Sequence, residues 1–260
     1  MTPAARRGVV AGLNPVAKLA AALLIAAPLV LTIDPVSAAV ALLLELPLLA
    51  MAGLAPRELV LRTLPVWLAA PLAAVTVALY GAPSGEVFFE WFVIRVSEGS
   101  LVLALSTLLR ILAIGLPAVV LFATVDPTDL ADGLAQRWRL PARFVLGALA
   151  GMRLLGLLAD DWRALALARR ARGVADVGRV RRVLGMAFAL FVLAIRRGSA
   201  LATAMESRGF GAPGPRTWAR DSPFGAGEWM LLLAALAISG TAVAVAAATG
   251  SWNFILGPSS

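Results

Sequence analysis

The chain of 260 residues has no cysteine and no histidine, and it has a single lysine, Lys18. Without cysteine there is no disulfide and no thiolate metal site. Without histidine the commonest metal ligand and the commonest general base near neutral pH are missing. A phosphate-binding loop of the G-x-x-x-x-G-K-[ST] type needs a glycine before its lysine, and Lys18 follows Ala17. The chain therefore has no recognisable nucleotide-hydrolysing site, and its apolar stretches hold too few clustered Asp, Glu or Ser residues for an intramembrane enzyme. It is expected to be non-catalytic, with no catalytic residue and no metal site.

What is abundant is apolar sequence. Hydrophobic residues make up 60% of the chain and the mean hydropathy is +0.88, more than a soluble domain of this size covers. The net charge is +8. Residues 126–227 alone hold 16 Arg against 8 Asp plus Glu. A basic segment flanked by apolar spans marks the cytoplasmic side of a membrane rather than a nucleic-acid surface, so no nucleic-acid partner is expected.

Five spans are predicted, at about 16–33, 36–54, 59–80, 99–124 and 228–249, each near the roughly 20 residues that cross a hydrocarbon core. The first resembles a leader peptide, but cleavage would remove a span that the sidedness needs. Arg6, Arg7 and Lys18, then Arg57 and Arg62, then the basic segment all fall on one side. The intervening loop carries Glu86, Glu90 and Glu98 against Arg95. The N-terminus is therefore expected inside and the C-terminus outside. Tyr80, Trp91 and Phe92 are placed near the outer interface as anchors.

The middle segment carries helix signals of its own. Thr124 and Asp126 can cap, Pro127 suits a first turn, and Asp129 and Asp132 favour the positive end of a helix. A short helix to about 137 is expected, then long helices over about 142–172 and 179–208. Phe144, Leu149, Met152, Leu155 and Leu158 make an apolar stripe on the first of these. In the second, Arg179, Arg181, Arg182, Arg196 and Arg197 bracket only about 13 apolar residues, so it is expected to pack on its neighbour at the membrane surface rather than cross. The domain division is thus 1–125 (four spans), 126–210 (the middle helices), 211–227 (a linker rich in Gly and Pro) and 228–260 (the last span and tail).

Both long helices end in one pattern, Ala171-Arg172-Gly173 and Ser207-Arg208-Gly209. An arginine in the last turn complements the negative helix end. The glycine lets the chain turn away and leaves the guanidinium projecting, ready for two-pronged bonds to a carboxylate or to backbone carbonyls. One such ending is simply a good helix stop. Two in the same basic segment point to a pair of docking tips.

The chain here resembles the T component, the transmembrane energy-coupling subunit, of energy-coupling-factor (ECF) transporters of the ATP-binding-cassette class. Leu13-Asn14-Pro15-Val16-Ala17-Lys18-Leu19 is similar to that family's N-terminal Asn/Asp-Pro-x-x-Lys pattern. Arg110 falls where the fourth span often carries an arginine. Thr124-Val125-Asp126-Pro127-Thr128-Asp129-Leu130 resembles the Thr-x-x-Pro-x-Asp-Leu start of the coupling region. Ala204-Met205-Glu206-Ser207-Arg208-Gly209-Phe210 is close to the second docking motif. The resemblance implies an all-α integral membrane protein of a bacterial cell (inner) membrane, with about five transmembrane helices plus cytoplasmic or interfacial coupling helices, two of them long and crossed. It implies that Ala171, Arg172, Gly173, Ser207, Arg208 and Gly209 dock two ABC ATPase subunits, which use ATP and Mg while this chain binds no cofactor. It also implies a separate substrate-binding membrane S component for vitamin or transition-metal (cobalt or nickel) uptake. The alternative is a solute-binding permease subunit of an ordinary ABC transporter.

Glu45 and Arg110 sit near the middles of the second and fourth spans. Charges are costly there and usually pair or face a polar cavity. A Glu45–Arg110 pair locking two helices is expected, ahead of an ion-coupling role.

Overall fold

The computed structural model describes residues 8–81, 84–91, 94–173, 178–212 and 217–252. Phe92 and the turn residues Asp176 and Val177 lie outside them. The chain divides into two compact units, Met1–Leu130 with Ser222–Ser260, and Ala131–Asp221.

In the first unit a short 3-10 turn (Val10–Gly12) leads into α1 (Pro15–Leu31), α2 (Pro35–Ala50) and α3 (Pro56–Tyr80). Each of these helices starts on a proline, whose fixed φ suits the first helical position and whose missing N–H is no loss there. Asn14 and Asp34 cap the first two, Asn14 accepting from the Val16 N–H at 3.0 Å and Asp34 from the Ser37 N–H at 2.5 Å. A hairpin of β1 (Val87–Trp91) and β2 (Ile94–Ser97) joins α3 to α4 (Glu98–Ala123). Across it Arg95 pairs with Glu90 at 2.6 Å. Ser97 and Ser100 cap the start of α4 reciprocally, each side chain bonding the other's backbone N–H at 3.2 and 2.9 Å. α5 (Pro127–Gln136) follows and passes into the second unit after Leu130, and α8 (Ala226–Ala248) returns to the first.

The interior is built from small residues. Ala17, Ala21, Ala38, Ala41, Ala113, Ala235 and Ala242 are buried where α1, α2, α4 and α8 meet, as suits helices that associate in lipid through close backbone approach. Gly115 of α4 gives way to α3 in the same manner: a Cβ there would lie 2.7 Å from Val66 Cγ1. Between α8 and α1, the Ser239 hydroxyl donates to the Leu24 carbonyl at 2.6 Å.

In the second unit α6 (Ala142–Ala171) and α7 (Arg179–Ser207) run antiparallel. Residues near 150 face those near 200, Asp161 meets Arg197, and the Arg169 guanidinium lies beside Gly185.

The helices that are long and apolar enough to cross a membrane number five among the described residues: α3, α4, α6, α7 over Val180–Ser207, and α8. This set differs from the predicted spans. α1 and α2 form, but with 17 and 16 residues they are shorter apolar helices. α2 ends at Ala50, soon after Pro47, and Gly53 then takes a left-handed φ of +70°. α7, expected to be too short to cross, qualifies because its helix runs unbroken past Arg196 and Arg197. The chain is an all-α, multi-pass membrane protein apart from the one hairpin.

Within the first unit the start of α1, the end of α2, the start of α3 and the end of α4 lie close together. A Cβ on Gly8, just before α1, would meet the Ala52 carbonyl at 2.6 Å, beyond the end of α2. Lys18 reaches Thr124, the C-cap of α4, at 2.8 Å. Arg62, early in α3, donates to the Ala123 carbonyl at 2.5 Å, satisfying one of the open acceptors at the end of α4.

Candidate functional site

The two tips share one local geometry. α6 ends at Ala171, Arg172 is its C-cap, and Gly173 has a φ of +70°. α7 ends at Ser207, Arg208 is its C-cap, and Gly209 has a φ of +76°. A left-handed residue at this position suits glycine and few others. At the second tip the Gly209 N–H donates to the Glu206 carbonyl at 2.9 Å and the Phe210 N–H to the Met205 carbonyl at 3.0 Å, a full Schellman closure. Met205 and Phe210 line the same groove, the apolar contact that accompanies this closure. At the first tip the Gly173 N–H donates to the Arg170 carbonyl at 3.0 Å.

All six tip residues are exposed. Among the described residues neither the Arg172 nor the Arg208 guanidinium has a hydrogen bond or an ion pair. Because α6 and α7 are antiparallel, the tips lie at opposite ends of the pair. At about 1.5 Å per residue, helices of 30 and 29 residues separate them by about 40 Å. The arrangement offers two projecting, freely bonding cations on backbones that cannot extend further.

What holds the pair together was only partly foreseen. The stripe of Phe144, Met152 and Leu155 points outward, each residue at least half exposed. The face of α6 turned to α7 is instead Gly147, Ala150, Gly151 and Leu154, opposite Gly198 and Leu201 across a groove of about 320 Å³. The small residues leave this face open: a Cβ on Gly147, Gly151 or Gly198 would meet nothing within 4 Å. The charged lock is Asp161, which takes both Arg197 nitrogens, the longer bond being 3.2 Å. Asp160 pairs with Arg163 on its own helix at 3.0 Å.

Glu45 and Arg110 do not form the expected hydrogen-bonded pair. Glu45 is fully buried, and both of its carboxylate oxygens lack a hydrogen-bond partner, as does the buried Arg110 Nη2. Sequence spacing places the two residues at similar depth but says nothing of the rotation of α2 against α4. Among the described residues no three His, Cys, Asp or Glu side chains group as a metal-holding set.

A polar cluster at the start of α1 is the feature that reasoning from the residues missed. Lys18, 1% exposed, donates from Nζ to the Ala11 carbonyl at 3.0 Å and to Thr124 Oγ1 at 2.8 Å. Asn14 donates from Nδ2 to Ser222 Oγ at 2.7 Å and to the Pro223 carbonyl at 2.8 Å. The Asn14 N–H donates to Glu228 Oε1 at 3.0 Å, and Glu228 Oε2 accepts from the Gly225 N–H at 2.7 Å. The signal available in the sequence was a lone lysine among 22 arginines, inside a stretch apolar enough to demand partners for it.

Comparison with known proteins agrees with this architecture. The sequence model of the CbiQ family, described as cobalt transport protein, matches residues 7–217. An energy-coupling factor transporter transmembrane protein EcfT of Limosilactobacillus fermentum is 28% identical over 155 residues, covering 55% of this chain and 58% of the relative. The EcfT of Exiguobacterium sibiricum is 29% identical over 167 residues, 59% of this chain and 63% of its own. That of Lactococcus lactis is 32% identical over 145 residues, 50% and 53%. The chain thus spans between half and two thirds of the length of these relatives. With the family match running from before the first helix to beyond the second tip, the chain belongs to the CbiQ family, the transmembrane components of energy-coupling-factor transporters.

Proposed function

We propose that this chain is the coupling subunit of an ATP-driven importer, taking up motion from two ATPase subunits at its two arginine tips. The observation that carries the reading is the matched pair of exposed, arginine-capped helix ends at opposite ends of α6 and α7. The closed helix terminus fixes each arginine's backbone, so the guanidinium is presented from a defined point to a groove where it can clasp a carboxylate or backbone carbonyls. The ATPases use ATP and Mg, and this chain supplies no cofactor site. Nucleotide-driven closure of the ATPase pair shifts the tips, and the long helices carry the shift to a separate substrate-binding membrane subunit. The cargo recognised by that subunit is a vitamin or a transition-metal ion; the cobalt-transport description of the matching family favours the metal. In this reading α6 and α7 lie along the cytoplasmic face of a bacterial cell membrane rather than across it, so both tips, like the N-terminus, face the cytoplasm.

The test is purification of the tagged chain with its ATPases. Arg172→Ala with Arg208→Ala is expected to leave the chain folded and to reduce ATPase recovery by about a hundredfold, roughly the effect of removing one charge-assisted hydrogen bond from each tip. Recovery of both ATPases at the wild-type yield would refute the docking role.

A further inference from the structure

The structure assigns Asn14 and Lys18 as positioning residues that fasten both chain connections of the second unit to a single point, the first turn of α1. The chain leaves the first unit after Leu130 and re-enters it at Ser222. The outgoing connection is held six residues before that boundary, where Lys18 Nζ bonds Thr124 Oγ1. Thr124 passes the tie on, donating its own hydroxyl to the Leu121 carbonyl at 3.1 Å in the last turn of α4. The returning connection is held at the boundary itself, where both hydrogens of the Asn14 amide are taken, by Ser222 Oγ and the Pro223 carbonyl. The Asn14 backbone and Gly225 then share the two oxygens of Glu228, at the start of α8.

Two features make this more than a set of local caps. Asn14 and Lys18 are four residues apart, one turn of one helix, so the two ties end on the same rigid piece of backbone. All three key side chains are buried, Asn14 at 7%, Lys18 at 1% and Ser222 at 8% exposed, so water does not readily take the place of these bonds and each tie is stiff. Close packing adds to this: a Cβ on Gly227 would lie 2.8 Å from Leu13 Cδ2. A pull on either connection is thereby delivered to α1, and through α1 to α4 and α8, against which it packs. Asn14 and Lys18 thus form the step by which motion of the second unit moves the helices of the first. The inference rests on the coupling reading proposed above.

The experiment uses the full chain with its two ATPases in lipid nanodiscs. The cysteine-free sequence allows nitroxide labels at two introduced cysteines, replacing exposed Leu23 on α1 and exposed Leu68 on α3. In the wild-type background ATP is expected to shift the distance distribution between the labels. In Asn14→Ala with Lys18→Met the shifted population is expected to fall about tenfold, while ATPase recovery and ATP hydrolysis stay within about twofold. Thr241→Val on α8 serves as the neutral control. Where the double variant fails to fold, Ser222→Ala and Thr124→Val remove one tie each, and each is expected to reduce the shift with little change in unfolding temperature. An unchanged shift in the variants, or no shift in a wild-type complex that hydrolyses ATP, overturns the assignment. A wild-type chain that recovers no ATPase overturns the coupling reading beneath it.

Discussion

Ala17, Ala21, Ala70, Ala113, Ala235 and Ala246 of the first unit are fully buried, whereas among the described residues α6 of the second unit buries none and α7 buries Met186 alone. The first unit joins its helices through small residues, reciprocal caps and a buried polar cluster. The second presents Phe144, Leu155, Leu167, Leu184, Phe188 and Phe191 outward and joins its helix pair through a bidentate ion pair beside a groove lined by small residues. Large apolar side chains stand outward in the first unit too, Leu43, Leu68 and Leu72 among them, so the difference lies inside: the first unit has a buried core to keep its shape, and the α6–α7 pair has almost none.

Matched substitutions sharpen the comparison. The largest effect is expected from Ala235→Leu in the first unit, where overpacking at a fully buried position costs about 2–3 kcal/mol. Leu155→Ala in the second unit, 67% exposed, is expected to change stability by less than about 0.5 kcal/mol. Denaturant unfolding in detergent micelles measures both, and equal losses would break the distinction. A second pair uses glycine. Gly115→Val drives a side chain into Val66 and is expected to cost about 1–3 kcal/mol. Gly147→Ala in α6 meets nothing within 4 Å and is expected to stabilise by about 0.5 kcal/mol through helix propensity.

Smaller effects probe single elements. Ser97→Ala removes half of a reciprocal cap and is expected to cost about 1 kcal/mol. Asp161→Ala breaks a half-exposed ion pair and is expected to cost at most about 1 kcal/mol, less at high salt. The swap Asp161→Arg with Arg197→Asp is expected to recover most of that loss, and no recovery would show that the pair does not join the helices.

Local signals in the sequence proved the most readable. The long helices were expected over 142–172 and 179–208 and run over Ala142–Ala171 and Arg179–Ser207, because Pro141 and the Arg-Gly endings are written within a few residues of the boundaries. Their left-handed glycines follow from the same motif. The hairpin between α3 and α4 was read as a loop, since its strands are four or five residues long and interrupted by charge. What depended on how helices face one another was not legible. The bonds from Lys18 to Thr124 and from Asn14 to Ser222 span 106 and 208 residues of sequence. Asp161 is a charge on α6 that the sequence shows, but its partner Arg197 needed the packing of α6 on α7. The absent bond between Glu45 and Arg110 belongs to the same class: depth along a helix can be counted from sequence, and rotation about its axis cannot.

The docking role of the tips is tested most directly by cysteine placement in this naturally cysteine-free chain. Ala171→Cys and Ser207→Cys, each in cells expressing the complete transporter, are expected to cross-link to an ATPase subunit and to resist a membrane-impermeant thiol reagent added outside. Labelling of either cysteine from the cell exterior, or cross-linking to neither ATPase, would contradict it.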